Sequence, residues 1–362
     1  MNTGNKSLRT GHSAALGEDR ERRRFSFRGI LFAATTCALA TACDFDQIYG
    51  VGQLDSEVVS GLMEVHREGD RVYVGTVSSG GHRDAVARVR AVDPATGAVV
   101  ASTPAYSGAY KYRAVTQDRT TSTTHGVWLL HDNGALEQRS KNLTYWSRRL
   151  NTFSPPSGAT LERFCDLEQL PNREFIATGV YSVGGDLFGF WQGVREHSGI
   201  ANYWYETWAH SYPIDSLAVV DEACPRVSFE TNTDETVFLQ PYLNDNGTTE
   251  HRVTRYDDHL EVGQWTIPVS WKWLVTDVSA EFGGIVISRQ KDTYPQSAYL
   301  ELFEQDTGAS LSIRTLDHAR AIDFALSPFT QLDGTSLLWW GGREHETGSD
   351  YELGVLGFAN NP

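Results

Sequence analysis

The stretch LMEVHREGDRVYVGTVSSGGHRDAVARVRAVDPATGAVVAS, residues 62–102, decides the fold. Short segments rich in β-branched residues alternate in it with turn residues, a pattern typical of antiparallel strands joined by tight connections. Its last connection is a turn at Asp93–Gly97, in which proline presets φ and glycine tolerates positive φ. The stretch predicts four short strands in series, the last three at residues 71–77, 85–93 and 98–102.

The second of these strands recurs along the chain. Its six copies are RVYVGTV (71–77), GVWLLHD (126–132), EFIATGV (174–180), TVFLQPY (236–242), GIVISR (284–289) and SLLWWG (336–341). Their starting positions differ by 55, 48, 62, 48 and 52 residues, which is the size of one blade of a β-propeller. The sequence therefore predicts an all-β protein, a β-propeller of six four-stranded blades.

The spacing leaves two alternatives and predicts a closing strand. Seven blades remain an alternative, because either of the two longest gaps could contain a further pair of strands. A pair of β-sandwiches would show the same strands but would not predict the regular spacing. The last copy is one strand short at residues 358–362, so we expect Gln47–Val51 to complete that blade and close the ring.

One hairpin resembles a known repeat. The run AVDPATGAVVAS (91–102) resembles the hairpin between the third and fourth strands of quinoprotein-like and WD40-like propeller repeats. Similar turns occur at Glu196–Gly199, Asp257–His259 and Glu304–Gly308. The resemblance implies the propeller fold but extends to no quinone site, since the chain has no adjacent pair of cysteines. We expect no cofactor.

The N-terminus carries an export signal. Three arginines, Arg22–Arg24, precede an apolar run, Gly29–Ala42, which ends in small residues before Cys43. The run is too short for a membrane-spanning helix, which needs about 20 apolar residues. The string LATAC (39–43) resembles the lipobox of bacterial lipoproteins, which implies that Cys43 is acylated and becomes the first residue of the mature chain. An ordinary secretory signal, cut elsewhere, is the alternative.

The resemblance to lipoproteins also divides the chain and places it in the cell. Residues 1–42 are then the signal peptide, residues 43–58 a short tether that includes the closing strand, and residues 59–362 the propeller domain. The mature protein is expected in the bacterial cell envelope, anchored by lipid on the periplasmic or the cell-surface side.

The composition excludes one class of partner. The chain has 31 Lys and Arg against 46 Asp and Glu, and loss of the first 42 residues leaves 24 against 43, a net charge of −19. Nucleic acids need a basic surface, so neither DNA nor RNA is expected as a partner. Electrostatic docking to anionic lipids is disfavoured for the same reason.

Two cysteines lie inside the predicted propeller domain, residues 59–362. Cys165 and Cys224 fall in the predicted first strands of successive blades, which lie side by side around the axis. The pair can therefore reach disulfide distance, and an exported compartment permits the bond. Two buried thiols are the alternative.

A candidate binding face gathers the loops between second and third strands and the connections between blades, which share one end of a propeller. Aromatic side chains there could stack on a sugar or a peptide, whereas the alternative is that they pack between blades. The candidate residues are His82, Arg83, Tyr110, Trp208, Tyr212, Trp271, Trp273, Arg343 and His345.

A second group of candidates is acidic. First strands line the central channel of a propeller, and a ring of carboxylates there could bind a hard cation or raise one another's pKa. The alternative is that each carboxylate accepts hydrogen bonds from backbone N–H groups and water. No calcium-binding loop is present, so no metal is predicted. The candidate channel acids are Asp166, Asp221, Asp277 and Asp323.

The function predicted from these features is binding. The chain contains no GxSxG, HExxH or P-loop sequence. We expect a lipid-anchored, exported propeller that acts as a non-catalytic binding or scaffold module at the cell envelope, with a protein or a carbohydrate as its ligand. It resembles, in anchor and fold class, the propeller lipoprotein of the outer-membrane assembly machinery. A carbohydrate-active enzyme or lectin-like protein that uses the aromatic face is the alternative.

Overall fold

The structure is a computed structural model of the chain. It describes residues 45–54, 57–65, 72–78, 87–92, 98–104, 112–118, 126–149, 152–196, 204–214, 224–230, 233–243, 249–267, 273–281, 284–291, 298–316, 319–323, 329–330, 336–344 and 351–358. All of these belong to one compact unit, Cys43–Pro362.

The regular elements of the described chain are β-strands. The first strand is β1 (Phe45–Leu54). The first sheet contains β2 (Glu57–Val65), β3 (Val72–Ser78), β4 (Ala87–Val92) and β5 (Val99–Ser102), and the second contains β6 (Tyr112–Gln117), β7 (Gly126–His131), β8 (Leu136–Ser140) and β9 (Tyr145–Arg149). The third contains β10 (Thr160–Gln169), β11 (Glu174–Val183), β12 (Asp186–Glu196) and β13 (Trp204–Pro213).

The remaining strands form three further sheets. The fourth contains β14 (Arg226–Glu230), β15 (Glu235–Leu243), β16 (Thr249–Asp257) and β17 (Leu260–Ile267), and the fifth contains β18 (Trp273–Glu281), β19 (Gly284–Lys291), β20 (Ala298–Glu304) and β21 (Ser310–Leu316). The sixth contains β22 (Ala319–Asp323), β23 (Phe329–Thr330), β24 (Ser336–Glu344) and β25 (Tyr351–Phe358), with β1 as its outermost strand.

Each of the first five sheets is antiparallel, and its four strands pair in chain order. The first-to-second and third-to-fourth connections of such a sheet lie at one end, which we call end A. The second-to-third connection and the link to the next sheet lie at the opposite end, end B. The six segments predicted to recur are β3, β7, β11, β15, β19 and β24, so the prediction of these strands is confirmed.

The sixth sheet takes its outer strand from the start of the chain. Strand β1 pairs antiparallel with β25, with Phe45 opposite Phe358 and Leu54 opposite Tyr351. The predicted segment Gln47–Val51 lies inside β1 and therefore pairs with the last strand of the chain, as its sequence predicts. Only residues 55 and 56 separate β1 from β2.

The first strands of neighbouring sheets contact one another. The contacts join β2 to β6, β6 to β10, β10 to β14, β14 to β18, β18 to β22, and β22 to β2. Second strands lie between two sheet neighbours and between adjacent sheets, so β7 is buried at every residue. Fourth strands are far more exposed, as β17 shows. Burial thus falls from the first two strands of a sheet outward.

A disulfide joins the third and fourth sheets. Cys165 on β10 is bonded to Cys224, with 5.5 Å between the Cα atoms, and the predicted disulfide is confirmed. Cys224 precedes β14 by two residues, so its expected place inside a first strand is wrong. The two cysteines are 59 residues apart, and a cross-link that closes a loop of this length stabilises a fold by roughly 4 kcal/mol in the chain-entropy model.

Across the described chain, we find no helix with the length and apolar character needed to cross a bilayer.

Candidate functional site

The structure describes few of the predicted binding-face side chains. His82, Arg83, Tyr110, Trp271 and His345 lie outside the described residues, as does Cys43. Trp273 begins β18 and Arg343 lies on β24, but their side chains are not among those described. Trp208 and Tyr212 are described, and both lie on strand β13 rather than in the connection between blades that we expected.

The strand was readable from the sequence. Trp208, His210 and Tyr212 alternate with smaller residues in WYETWAHSYP, and a period of two places alternate side chains on one face of a strand. That face of β13 is turned toward the fourth sheet. The aromatic residues suggested a ligand-binding connection between blades, whereas their alternation predicts a strand.

Trp191 on β12 is the centre of an aromatic cluster between the third and fourth sheets. Its side chain is fully buried. Its ring stacks on Phe238 of β15 at 4.3 Å between centroids and on His210 at 4.4 Å. Trp208 and Tyr212 each lie 6.0 Å from the Trp191 ring. Both predicted binding residues therefore pack between sheets in this structure, and a role in binding a ligand stays a prediction.

Two glycines make room for these rings. Gly193 and Gly189 face Trp208 and Tyr212 across the β12–β13 pair. A Cβ atom at residue 193 would overlap the Trp208 indole and would lie 2.6 Å from Glu174 Oε1. A Cβ atom at residue 189 would overlap the Tyr212 ring. The absence of a side chain at both positions lets the aromatic rings lie flat on the strand.

Burial sets the protonation of this cluster. It raises the pKa of Tyr212 well above its ordinary value, and its hydroxyl makes no hydrogen bond within the described residues. Burial, reinforced by Glu261, raises the pKa of Tyr256 to about 12. Burial lowers the pKa of His210, against the opposing charge of Glu261. The two phenols are therefore neutral at physiological pH and cannot act as bases.

A buried carboxylate lies beside the cluster at end A. Glu174, the first residue of β11, has a fully buried side chain. Its Oε2 accepts a hydrogen bond of 2.9 Å from Arg195 Nη2 on β12, and its Oε1 accepts one from the hydroxyl of Thr207 on β13. His259 Nε2, in the third-to-fourth turn of the fourth sheet, lies 3.0 Å from Oε1. The His259 ring stacks on Trp208 at 4.7 Å.

The fourth and fifth sheets repeat this arrangement. Glu235, the first residue of β15, pairs with Arg255 of β16 at 3.1 Å. Gln305, in the third-to-fourth turn of the fifth sheet, donates a hydrogen bond of 2.7 Å to Glu235 Oε2. Trp265 of β17 donates its indole N–H to the carbonyl oxygen of Gln305 at 3.1 Å. Asp306 adds a second carboxylate to Arg255 at 2.9 Å.

The two interfaces thus share one device, which we call the carboxylate latch. Its parts are a glutamate that begins a second strand, an arginine on the third strand, a tryptophan on the fourth strand, and the third-to-fourth turn of the next sheet. The latch was not predicted from the sequence. The only sequence signal is a glutamate that opens EFIATGV and another that directly precedes TVFLQPY, and the partner of Glu174 lies 85 residues away in the chain.

A second buried polar group lies within the second sheet. Glu137 accepts hydrogen bonds from Arg139 Nε and, at 3.2 Å, from the Tyr112 hydroxyl, and its Oε2 lies 3.1 Å from His131 Nε2. All four side chains are buried. Burial alone would raise the pKa of Glu137, but the His131 hydrogen bond and the Arg139 charge outweigh it and hold that pKa below its ordinary value of 4.5. The Tyr112 pKa is raised by burial and by Glu137.

The only channel acid whose side chain is described accepts backbone hydrogen bonds. Asp166 accepts one from Leu167 N at 2.8 Å and one from Val227 N of the fourth sheet at 3.0 Å. Burial raises the pKa of Asp166, although Arg226 and these bonds oppose the shift. The other three candidates, Asp221, Asp277 and Asp323, have no described side chain.

The described side chains show no metal-binding arrangement. No group of three or more His, Cys, Asp or Glu residues among them is placed to hold an ion. Asp166 uses both carboxylate oxygens on backbone N–H groups of neighbouring residues and sheets. Its described role is therefore to join β10 to β14.

Comparison with known proteins gives similarity in structure only. No protein-family model matches the chain, and no curated protein sequence matches it. Raptor from Chaetomium thermophilum is similar over 92% of this chain and 30% of its own, with a TM-score of 0.51 and 10% identity. A gluconolactonase from Xanthomonas campestris is similar over 88% of this chain and 92% of its own, with a TM-score of 0.48 and 11% identity. A chain of the mitotic checkpoint complex is similar over 87% of this chain and 96% of its own, with a TM-score of 0.47 and 9% identity.

These likenesses concern the fold alone. The several four-stranded antiparallel sheets of this chain are consistent with a propeller. This chain spans 30% of the Raptor chain. At such low identity, no activity or ligand transfers from any of these proteins.

Replacing Gly193 with alanine tests the close packing of Trp208. We expect a loss of about 1–3 kcal/mol in the free energy of unfolding, because the added methyl must displace a rigid indole and a latch carboxylate. Chemical denaturation measures it. Ala209→Ser is the matched control, since it adds one heavy atom at an exposed position of the same strand, β13. An equal loss in both variants would contradict the role of the Trp208 contact.

Replacing Glu137 with glutamine tests the buried group of the second sheet. A carboxyl whose pKa is lowered by folding contributes stability above its unfolded pKa and loses it as the pH falls through the folded pKa. We therefore expect the wild type to exceed the variant by about 3–5 kcal/mol at pH 7, since a buried arginine loses its partner. The difference should shrink below pH 4.5. Thermal unfolding at several pH values measures it.

Glu162→Gln is the control for this series, because Glu162 is exposed and its hydrogen bond to Ser182 lies on the surface. We expect it to change the free energy of unfolding by less than about 1 kcal/mol at any pH. A Glu137→Gln difference that stayed constant from pH 7 to pH 3 would contradict the assigned ionisation.

Proposed function

We propose that this chain is an exported, lipid-anchored propeller of six blades that binds a partner without transforming it. The six sheets are its blades, and the pairing of β1 with β25 joins the start of the chain to its last blade. The cyclic order of contacts between first strands, from β2 round to β22 and back to β2, supports this closure. Cys43 carries the lipid, so the protein works at the bacterial cell envelope.

The observation that carries the binding role is how the described ionisable side chains are used. Glu174 and Glu235 bind the turn of the next sheet, and Glu137 neutralises a buried arginine inside one sheet. Each of these groups is held by partners from the protein itself. A carboxylate so occupied stiffens the fold, and a rigid frame with variable loops is the usual design of a binding module.

The binding face is placed at end B. Second-to-third loops and links between sheets meet there, and the predicted residues His82, Arg83, Tyr110, Trp271 and His345 belong to those connections by their position between strands. Trp208 and Tyr212 are less suited to contact a ligand, because they are used between the third and fourth sheets. The ligand is a protein or a carbohydrate.

Replacing Cys43 with serine tests the anchor. An acylated N-terminal cysteine holds a protein on the membrane, so we expect the full chain expressed in bacteria to sediment with membranes and the Cys43→Ser variant to be soluble. Cell fractionation measures it. Equal membrane association of the two proteins would contradict the lipid anchor.

A paired glycan-array and pull-down screen tests the binding face. We expect the full chain to retain one protein or glycan, and the double variant Arg83→Ala/His345→Ala to retain at least tenfold less. Gln264→Ala, on the exposed outer strand β17, is the control and should bind as the wild type does. Turnover of a bound glycan would favour the carbohydrate-active alternative, and unchanged binding by the double variant would contradict the chosen face.

A further inference from the structure

The exposed apolar side chains of the described residues are concentrated in one region. Nine large apolar side chains are exposed, and eight of them lie within the first four residues of a fourth strand. The most exposed are Leu260 at 73%, Ile313 at 58% and Tyr145 at 53%. The eight residues, which we call the apolar rim, are Val99, Val100, Tyr145, Tyr205, Leu260, Val262, Leu311 and Ile313. They come from all of the first five sheets.

The rim lies at end A. A fourth strand begins at the third-to-fourth turn, so its first residues belong to that end of the sheet, while Ile313, the fourth of the seven residues of β21, lies midway along its strand. Contacts between sheets show that the ends A of adjacent sheets lie side by side. Glu174, at end A of the third sheet, contacts His259 in the end-A turn of the fourth. The Tyr73 hydroxyl, at end A of the first sheet, donates a hydrogen bond of 3.0 Å to Lys141 O in the end-A turn of the second.

The first described residue, Phe45, lies at the same end. Only two residues join β1 to β2, and β2 begins at end B, so the last residue of β1, Leu54, must also lie at end B. The first residue, Phe45, therefore lies at end A, nine residues back along the strand. Cys43 precedes Phe45 by two residues. Two extended residues span at most about 7 Å, so a group on Cys43 stays close to end A.

A lipid on Cys43 makes the bilayer the nearest apolar phase to the rim. The short tether gives the membrane surface a high effective concentration at end A, so even weakly favourable contacts are made. Aliphatic side chains accompanied by tyrosines are typical of surfaces that lie in the membrane interface, where an apolar body and a polar hydroxyl are both accommodated.

We propose that end A lies on the membrane, with the apolar rim inserted into the headgroup region beside the lipid of Cys43. This inference rests on the lipid anchor proposed above and adds the orientation of the molecule. The propeller axis then runs along the membrane normal, and end B, with its binding loops, points away from the bilayer.

The charge at end A selects the kind of lipid. Glu261 lies between two rim residues on β17, and Glu304 and Asp306 flank the end-A turn of the fifth sheet. All three side chains are exposed. These carboxylates repel an anionic surface and have little effect on a zwitterionic one. We therefore expect the rim to enter phosphatidylcholine vesicles more readily than vesicles that contain phosphatidylglycerol.

Two valines offer a matched test. Val262 lies on the rim and Val183 at the second-to-third hairpin of end B, and each is 47% exposed. Each is replaced with cysteine in the full chain and labelled with the environment-sensitive fluorophore NBD. The disulfide leaves Cys165 and Cys224 unreactive. The purified acylated proteins are reconstituted on phosphatidylcholine vesicles, with and without a spin-labelled lipid as quencher.

The expected result is a blue shift and quenching of the probe at residue 262, with the probe at residue 183 unchanged from water. Both probes in water, or the probe at residue 183 in lipid, would overturn the orientation. A probe at residue 262 that is shielded before vesicles are added would assign the rim to a second copy of the chain, and would likewise overturn it.

A second arm separates failure of the orientation from failure of the anchor. The full chain with Cys37→Ser and Cys43→Ser, which leaves the probe position as the only thiol outside the disulfide, carries a hexahistidine tag immediately before residue 43 and is held on vesicles that contain a nickel-chelating lipid. The same two probes then report the orientation whether or not Cys43 is acylated in the cell. If the chain with Cys43 intact does not associate with membranes, while the probe at residue 262 of the tagged protein is buried in lipid, the anchor is wrong and the orientation stands.

Discussion

The carboxylate latch is the contact that fixes the third sheet on the fourth and the fourth on the fifth. Apolar faces alone allow one sheet to shift against another. Glu174 opposes this shift, because its buried carboxylate binds Arg195 of its own sheet and His259 of the next. Removing Arg195 would leave this carboxylate without its arginine in a buried site, which is costly. The same device recurs one interface further on, around Glu235.

The latch also explains where the aromatic residues are used. Trp208 and Trp265 each cover the turn that their neighbouring glutamate holds, and small residues beneath or beside them, Gly193 and Gly308, allow the close approach. The rings pack against the turns that the glutamates bind: Trp208 stacks on His259, and Trp265 donates a hydrogen bond to Gln305. The charged and aromatic residues of the latch are thus part of one structural unit at end A. In our proposal, end B then binds the partner and the apolar rim contacts the membrane.

Much of the fold could be predicted because its signal is local. The second strands carry runs such as EFIATGV and GVWLLHD, in which burial on both faces favours mostly apolar residues over six or seven positions. The disulfide could be predicted because its two cysteines are the only ones in residues 59–362. The placement of Trp208 in a connection between blades was wrong, since the alternation of aromatic and smaller residues in WYETWAHSYP is the pattern of a strand.

By itself, the sequence determined the strands, their recurrence, the disulfide partners and the acidic charge, because each depends on residues that are near in the chain or few in number. Only the tertiary structure decided what Glu174, Trp208 and Glu137 contact and at which end the apolar rim lies. Those contacts join residues up to 85 positions apart, across interfaces between sheets. A buried charge is stabilised by whichever groups the fold brings within about 3 Å, and no local pattern in the chain specifies them.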